Sequence, residues 1–422
     1  RSQMEWAKTS FGLEPRWCSQ PDLIAMQHLI QKYLAATGGG GVVRVKYFAE
    51  GMFNKLYTVS WSRSIFLMRV SLPVCPKLKT MSEVATLQFV RQETQLPVPR
   101  VIAFDHSSQN ELGFEWILME KMPGVPVRQQ WGKLTMDAKA DLVKAIAKFQ
   151  AHLFNPKNRF QGIGNIFQSP TSPSEPSFVL GSMVSPAFFW GDRANRRVNS
   201  GPFRSSHDWL KSRLELVVDD QERILAGTED DDDTDVSERA RAVAMRLLEL
   251  LPTVLPGEVE TAEESVLWHD DLSQQNILVA ENGCLDSIVD WECVSTVPLW
   301  KAREEPILLC GPSRPDRALR EDYGEDDIQK GDEDSLDNES STDTYWIHLL
   351  GSERTVLRKF YYQTMEELLP GFNSQRTRDA ILVDIDYAVQ QCDNELALET
   401  IESWLDDRNE GRYWNLKEVM MG

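Results

Sequence analysis

Hydrophobic and polar residues alternate along the chain between residues 42 and 70. Three runs, 42–48, 56–61 and 65–70, place apolar side chains at about every second position, and polar turns separate them, the first containing Gly51. Alternation with a period of two is typical of strands that bury one face. The pattern predicts antiparallel strands joined by tight turns, and the turn at Gly51 is a candidate to lie over phosphate groups.

Further along the chain, apolar residues recur at helical spacing. Leu142, Ile146, Phe149 and Leu153 fall on one face of a helix that Thr135 can cap, so we expect them in the core. Other helices are predicted from about residue 80, at 207–225, at 240–250 and across most of 353–407.

These elements together predict an α+β fold. We expect a helical extension at 1–41, a small antiparallel β lobe at 42–122 and a large, mainly helical lobe at 123–422. Residues 313–344 are acidic and poor in apolar side chains, which predicts a disordered insert. The acidic run 229–233 predicts a solvated connector.

Composition and charge exclude several classes of protein. The 422 residues carry a net charge of −20, whereas nucleic-acid-binding proteins are normally basic, so we expect no nucleic-acid partner. The six cysteines are scattered without a C-x2-C pair, which argues against a zinc site or a disulfide framework and for a reducing compartment.

No stretch approaches the roughly 18 apolar residues of a membrane span, and no secretory signal is visible. We expect a cytoplasmic protein without a membrane partner, and we leave organellar import open because the sequence does not begin with Met.

The run from Trp268 to Val279 contains the residues with the clearest chemistry. Asn276 lies five residues after Asp271, and Asp290 follows fourteen residues after Asn276. Kinases use this order: the first Asp accepts the proton of the acceptor hydroxyl, and the Asn and the second Asp hold Mg²⁺ against the phosphates of ATP. Mg²⁺ prefers hard oxygen ligands, which an amide and a carboxylate supply. The spacing predicts a phosphotransferase site that uses ATP and Mg²⁺, with Asp271 as catalytic base and Asn276 and Asp290 as metal ligands.

The dipeptide His269-Asp270 allows a second interpretation. An HD dipeptide also occurs in metal-dependent phosphohydrolases, but that chemistry needs further His and Asp ligands on helices. Here the flanking pattern is strand-like, and the remaining five histidines are scattered along the chain. We therefore favour phosphoryl transfer.

Arg69 and Glu83 are candidate phosphate-binding residues together with the Gly51 turn. Arg69 lies near the end of the third predicted strand, where kinases place a Lys that grips the α- and β-phosphates. Glu83, on the helix that follows, is spaced to pair with it. The alternative is an ordinary surface Arg and Glu.

The apolar run 114–120 predicts a buried strand that leads into a hinge between the two lobes. A hinge offers backbone groups to the adenine of ATP. Pro123 has no N–H, so the carbonyl of Glu120 and the amide of Met122 are the predicted contacts.

The chain resembles the aminoglycoside phosphotransferase family, and most of all its large fungal branch. The resemblance covers nearly the whole chain and rests on the run from His269 to Asn276, Asp290-Trp-Glu-Cys293, Pro298-Leu-Trp300, and Gly201-Pro202 before Trp209. It implies a bilobal protein-kinase-like fold, ATP-dependent O-phosphorylation of a small molecule, Asp271 as base, and Asn276 and Asp290 as Mg²⁺ ligands. The acidic composition mildly favours a cationic or neutral hydroxyl acceptor.

Three positions depart from the family pattern. Asp270 stands where Gly is usual, Arg69 where Lys is usual, and the turn at Gly51 is poor in glycine. The first two affect phosphate binding rather than proton transfer, so a catalytically degenerate, pseudokinase-like binding or scaffold protein is an alternative. A protein kinase is a third interpretation, but the sequence has neither an Asp-Phe-Gly nor an Ala-Pro-Glu element in the expected place.

Overall fold

A computed structural model describes residues 3–9, 12–35, 41–169, 177–227, 231–257, 259–323 and 344–421. The strands along the chain are β1 (Met4–Thr9), β2 (Gly12–Trp17), β3 (Arg44–Glu50), β4 (Asn54–Trp61), β5 (Ser64–Ser71), β6 (Val101–Asp105), β7 (Glu115–Glu120), β8 (Val125–Pro126), β9 (Phe160–Gln161), β10 (Asn165–Gln168), β11 (Phe178–Gly181), β12 (Glu264–Trp268), β13 (Ile277–Val279), β14 (Leu285–Ile288) and β15 (Ser295–Pro298). The helices are α1 (Leu23–Ala35), α2 (Leu78–Glu93), α3 (Met136–Leu153), α4 (Pro186–Phe189), α5 (Ser206–Gly227), α6 (Asp231–Val254), α7 (Thr344–Leu368), α8 (Phe372–Gln391), α9 (Glu395–Asn409) and α10 (Leu416–Met421). This mixture confirms the predicted α+β class.

The chain divides into two compact units. The first contains residues 1–124, 164–198 and 286–295, and the second contains 125–163, 199–285 and 296–422. The predicted lobes met at residue 122, close to the first of these boundaries. The division differs from that prediction because two short segments from the second half of the chain belong to the first unit.

A five-stranded antiparallel sheet organises the first unit. Its order is β3-β4-β5-β7-β6, so the three strands predicted from alternation lie side by side. Strand β7, which lies between β5 and β6, is buried along most of its length, as its apolar run predicts. One face of the sheet, including Val59, Met68 and Trp116, packs on Met26 and Ile30 of α1.

Helix α2 covers the other face of this sheet. Val84 packs there against Ile117 and Met119 of β7. Because alternate residues of a strand point to opposite faces, Ile117 and Met119 contact α2 while Trp116 faces α1. This packing fixes the position of α2 against β5, where Arg69 lies.

The segment 1–41 contains a hairpin that the sequence analysis did not predict. Strands β1 and β2 pair in antiparallel register before α1 begins. Trp6 lies with its ring centroid 5.0 Å from that of Trp190, and both belong to the cluster around Phe53 and Phe189. Packing against these aromatic rings stabilises the hairpin, which the local sequence pattern does not indicate.

The buried side chain of Asn165 holds together three segments of the first unit. Its Nδ2 donates to Ser82 Oγ (2.9 Å) and to the carbonyl of Val294 (2.9 Å), and its Oδ1 accepts from the amide of Val184 (2.7 Å). These partners lie on α2, in 286–295 and in 164–198. A buried amide that makes all these bonds links segments that are distant in sequence.

The second unit is mainly helical. Thr135 accepts a hydrogen bond from the amide of Ala138 and caps α3, as predicted. Among its longer helices, α5 contacts α6 and α3 contacts α7. Leu142, Ile146, Phe149 and Leu153 of α3 are all buried, which confirms the predicted core face.

Two sequence predictions lie wholly or partly outside the described residues. Most of the acidic insert predicted at 313–344 falls in 324–343, and part of the connector predicted at 229–233 falls in 228–230. None of the helices in the described part of the chain combines the length and the apolar character needed to cross a membrane.

Candidate active site

The loop between β12 and β13 carries Asp271 and Asn276 in the second unit. Asn276 Nδ2 donates to Asp271 Oδ2 at 2.7 Å and to the Asp271 carbonyl at 3.0 Å. His269 is buried, and its Nδ1 accepts from the amide of Asp271 at 3.3 Å. Because Asn276 uses its N–H₂ group on Asp271, its Oδ1 is the atom left to ligate a cation.

Backbone hydrogen bonds fix this loop from two sides. The amide of Leu308 donates to the carbonyl of Leu272 at 2.8 Å, and the amide of Arg128 donates to that of Gln274 at 3.1 Å. Leu272 is fully buried while the neighbouring Asp271 is exposed. The loop therefore presents the Asp271 carboxylate on a fixed backbone, which is what a positioned base needs.

In the first unit, Arg69 on β5 lies between Glu83 and Asp290. Its Nη1 is 2.9 Å from Glu83 Oε1, and its Nη2 donates to Asp290 Oδ1 at 2.8 Å. Arg69 is 7% exposed and Glu83 is 1% exposed, so this is a buried pair and not the surface pair considered as the alternative. The structure thus brings three predicted site residues into direct contact.

The guanidinium group of Arg69 retains hydrogen-bonding capacity. Within the described residues, neither Nε nor Nη1 has a hydrogen-bond partner, and the Nη1 contact with Glu83 is an ion pair without hydrogen-bond alignment. Buried donors of this kind are uncommon in folded proteins. They are suited to receive an anion.

The charges around Arg69 determine which groups are ionised. Burial alone would lower the pKa of Arg69, but the carboxylates of Glu83, Asp290 and Glu292 outweigh burial and raise it, so the guanidinium stays charged. Burial raises the pKa of Glu83 above its usual range despite the nearby cations. Burial also acts on Glu292, but the charges of Lys79 and Arg69 prevail and hold its pKa at about 2.

The cluster has three further members that were not predicted from the sequence, namely Lys79, Glu292 and Asn54. Lys79 Nζ lies 2.6 Å from Glu292 Oε2, and Asn54 Nδ2 donates to the same oxygen at 2.7 Å. The sequence could have indicated Glu292, because it belongs to the Asp290-Trp-Glu stretch. It could not have indicated Lys79 or Asn54, because only the packing of α2 and β4 shows that they are buried.

Gly51 and the predicted hinge also lie in the first unit. Gly51 follows β3, and its amide donates to the carbonyl of Asn54 at 2.9 Å. A Cβ atom at Gly51 would meet nothing within 4 Å among the described residues, so the space over this turn is open. Glu120 ends β7 and Met122 follows two residues later; between them, Lys121 places its ammonium 5.7 Å from the ring centroid of Phe48 on β3.

The predicted residues therefore form two groups. Asp271 and Asn276 contact each other in the second unit, and Arg69, Glu83 and Asp290 contact each other in the first. Gly51 lies on the β3–β4 turn, and Glu120 and Met122 lie at the end of β7 and just after it.

Comparison with protein families finds a match over residues 44–301 to the APH model, described as the phosphotransferase enzyme family. A subtelomeric hrmA-associated cluster protein of Aspergillus fumigatus is 28% identical over 325 residues, which cover 67% of this chain and 64% of that protein. The altered inheritance of mitochondria protein 9, mitochondrial, of Eremothecium gossypii is 22% identical over 341 residues, which cover 69% of this chain and 55% of that protein. The chain thus spans less than two thirds of the length of either relative.

Solved structures similar to this chain include aminoglycoside phosphotransferases. The ternary complex of APH(2'')-IIa with streptomycin and ATP is 15% identical, covers 92% of this chain and 97% of its own, and has a TM-score of 0.46. An apo form of a thermostable mutant of APH(4)-Ia is 14% identical, covers 93% and 99%, and has a TM-score of 0.42.

Proposed function

The chain belongs to the phosphotransferase enzyme family, and from that membership we propose that it transfers the γ-phosphoryl group of Mg-ATP to a hydroxyl group of a small molecule. The observation that carries the use of a nucleotide is the buried Arg69, which contacts both Glu83 and Asp290 and keeps unpartnered N–H groups. A guanidinium held in this way can bind phosphate oxygens. Phosphoryl transfer depends mainly on such positioning and charge neutralisation.

In this proposal Asn276 and Asp290 would each offer a side-chain oxygen to Mg²⁺. Asn276 Oδ1 and the Asp290 carboxylate are hard ligands suited to Mg²⁺, which also keeps phosphate oxygens and water in its shell. Within the described residues, no cluster of three or more His, Cys, Asp or Glu is arranged to hold a metal. A site with one carboxylate and one amide fits Mg²⁺ bound together with a nucleotide. When bound, Mg²⁺ neutralises charge on the transferring phosphoryl group.

Asp271 orients the acceptor hydroxyl and accepts its proton. Its exposed carboxylate is fixed by the hydrogen bond from Asn276, so one side chain contributes to both base and metal positions. Gly51 leaves room for phosphate groups over its turn. In this proposal the Glu120 carbonyl and the Met122 amide would contact adenine. The net charge of −20 favours a cationic or neutral acceptor.

Calorimetric titration of ATP with and without Mg²⁺ tests the nucleotide site. We expect Mg²⁺ to strengthen ATP binding in the wild-type protein and to have little effect in Asp290→Ala, because a metal ligand is lost. Asp286→Asn is the matched control, since this carboxylate lies four residues earlier in the same segment of the first unit. ATP binding that is unaffected by Mg²⁺ in the wild type would contradict the proposal.

Turnover tests the reaction itself. We expect Asp271→Asn to retain Mg-ATP binding and to lower phosphoryl transfer by roughly 10²–10⁴, the usual contribution of a positioned base. The measurement is ADP release against a panel of hydroxylated amines and sugars. Full activity in Asp271→Asn would refute its assignment, and nucleotide binding without turnover on any acceptor would favour the degenerate, pseudokinase-like alternative.

A further inference from the structure

Lys79 occupies an unfavourable position for a lysine. It lies in the first turn of α2, where the helix dipole disfavours a cation, and it is only 1% exposed. Burial alone would lower its pKa, but Glu292 and Glu83 outweigh burial and raise it, so the ammonium group stays charged. A buried charge at a helix N-terminus requires specific partners to be tolerated.

All three N–H donors of Lys79 have acceptors within the first unit. Nζ lies 2.6 Å from Glu292 Oε2, 2.9 Å from Asn54 Oδ1 and 3.4 Å from Ser71 Oγ. An ammonium group has three donors, so none is left for a phosphate oxygen. Lys79 therefore differs from Arg69, which keeps donors without hydrogen-bond partners.

Glu292, the main partner of Lys79, lies two residues after the proposed metal ligand Asp290. The backbone of this turn is unusual, because Asp290 has a φ of 63° and Cys293, directly after Glu292, has a φ of 59°, values that L-residues rarely adopt. Such conformations persist when the surroundings over-determine them. Trp291 contributes by burying its ring and donating from Nε1 to the carbonyl of Ile288 at 2.9 Å.

We propose that Lys79 is a positioning residue for the metal site: through Glu292 it holds the backbone turn that aims the Asp290 carboxylate at Mg²⁺. Asn54 supports the same carboxylate of Glu292 from β4. The inference rests on the proposed use of Mg-ATP and adds to it a residue that touches neither metal nor nucleotide.

The experiment compares ATP binding in EDTA and in saturating Mg²⁺ for the wild type, Lys79→Met and Glu292→Gln. Loss of an outer partner of a metal ligand typically weakens metal binding about 10- to 100-fold. We expect the strengthening of ATP binding by Mg²⁺ to fall about tenfold or more in both variants, while ATP affinity in EDTA changes less than about twofold. Because Lys79 acts through Glu292, the double variant should lose no more than either single variant.

Lys139→Met is the matched control. Lys139 on α3 is also buried, and its Nζ is 2.8 Å from both carboxylate oxygens of Glu353, so its removal, like that of Lys79, leaves a half-buried glutamate without its lysine. It belongs to the second unit, outside the cluster around Arg69. We expect this variant to be destabilised but to keep the wild-type response to Mg²⁺.

Hydrogen exchange provides a readout that needs no nucleotide. In Lys79→Met the backbone amide hydrogens of residues 288–293 should exchange faster than in the wild type, and in Lys139→Met they should not.

A wild type without Mg²⁺-dependent ATP binding would overturn both the proposed function and this inference. Normal Mg²⁺ dependence and unchanged hydrogen exchange in Lys79→Met would overturn the inference alone. Equal losses with and without Mg²⁺ would also overturn it, since they indicate a direct role in binding phosphate. Where Lys79→Met does not fold, Glu292→Gln decides by the same two measurements.

Discussion

At the scale of single residues, Arg69 makes ion pairs through two different nitrogen atoms. A lysine has one charged nitrogen, whereas the guanidinium of Arg69 reaches Glu83 with Nη1 and Asp290 with Nη2 at the same time. The sequence placed Arg69 and Glu83 correctly near each other, because strand alternation and helix position are local properties. It did not show that Asp290 joins them, since that contact spans 221 residues of the chain.

Replacing Arg69 with Lys, the usual residue of the family, should therefore weaken the site. We expect Arg69→Lys to lower the affinity for Mg-ATP about tenfold, because lysine has three N–H donors in place of five and lacks the planar fork with which Arg69 contacts Glu83 and Asp290 and still offers N–H groups to phosphate. Calorimetry on the folded variant measures this. Lys55→Arg, the converse exchange at a buried lysine on the neighbouring strand β4, is the control. An Arg69→Lys variant that binds Mg-ATP as tightly as the wild type would show that the fork of Arg69 has no special role.

At the scale of elements, the short turn after β14 carries two carboxylates of the charge cluster around Arg69. It carries Asp290 and Glu292, and both contact cations that lie on β5 or α2. The Asp-Trp-Glu stretch makes this turn visible in the sequence, but the pKa values of its carboxylates depend on residues that are distant in sequence. The pKa of Glu292 depends on Lys79 and on hydrogen bonds from Lys79 and Asn54, and the burial of these residues is set by tertiary packing.

The ionisation of Glu292 should make stability depend on pH. Its pKa is about 2 in the folded protein against an ordinary value of 4.5, so its stabilising contribution is present above pH 4.5 and is lost as the pH falls towards 2. The full contribution is on the order of 3 kcal/mol. Burial raises the pKa of Glu83, so the contribution of Glu83 to stability is lost as the pH rises and not as it falls. Comparing the wild type with Glu292→Gln isolates the contribution of Glu292.

Urea unfolding of the wild type and Glu292→Gln between pH 3 and pH 7 measures this contribution. We expect the difference in unfolding free energy between the two proteins to be largest near pH 7 and to shrink as the pH falls. A difference that is constant over this range would mean that Glu292 has the same pKa in the folded and unfolded states.

At the scale of the whole molecule, the first unit is assembled from segments that are far apart in sequence. Strand patterns predicted its sheet, but they gave no reason to add 164–198 and 286–295, which the predicted boundaries placed in the helical lobe. The bonds of Asn165 to Ser82 and Val294 span 83 and 129 residues, and no local periodicity carries information of that range. Prediction from sequence was therefore good for the elements and for placing Asp271 and Asn276 close together, and it was poorer for which segments share a core.

This assembly predicts how a fragment of residues 1–124 behaves. Phe53, Leu72 and Val74 in this fragment pack in the intact protein on a cluster contributed by the second segment, which contains Phe167, Val184 and Phe189. Without 164–198 these apolar side chains are exposed to water, and each one left unburied forfeits about 1.5–3 kcal/mol. We expect the fragment to unfold without a cooperative transition in urea and to bind an apolar dye. Adding a peptide of residues 164–198 should restore cooperativity and reduce dye binding, whereas a peptide of α5 from the second unit should do neither. A fragment that unfolds cooperatively without the peptide would show that the five-stranded sheet with α1 and α2 is a sufficient core, as the boundaries predicted from the sequence imply.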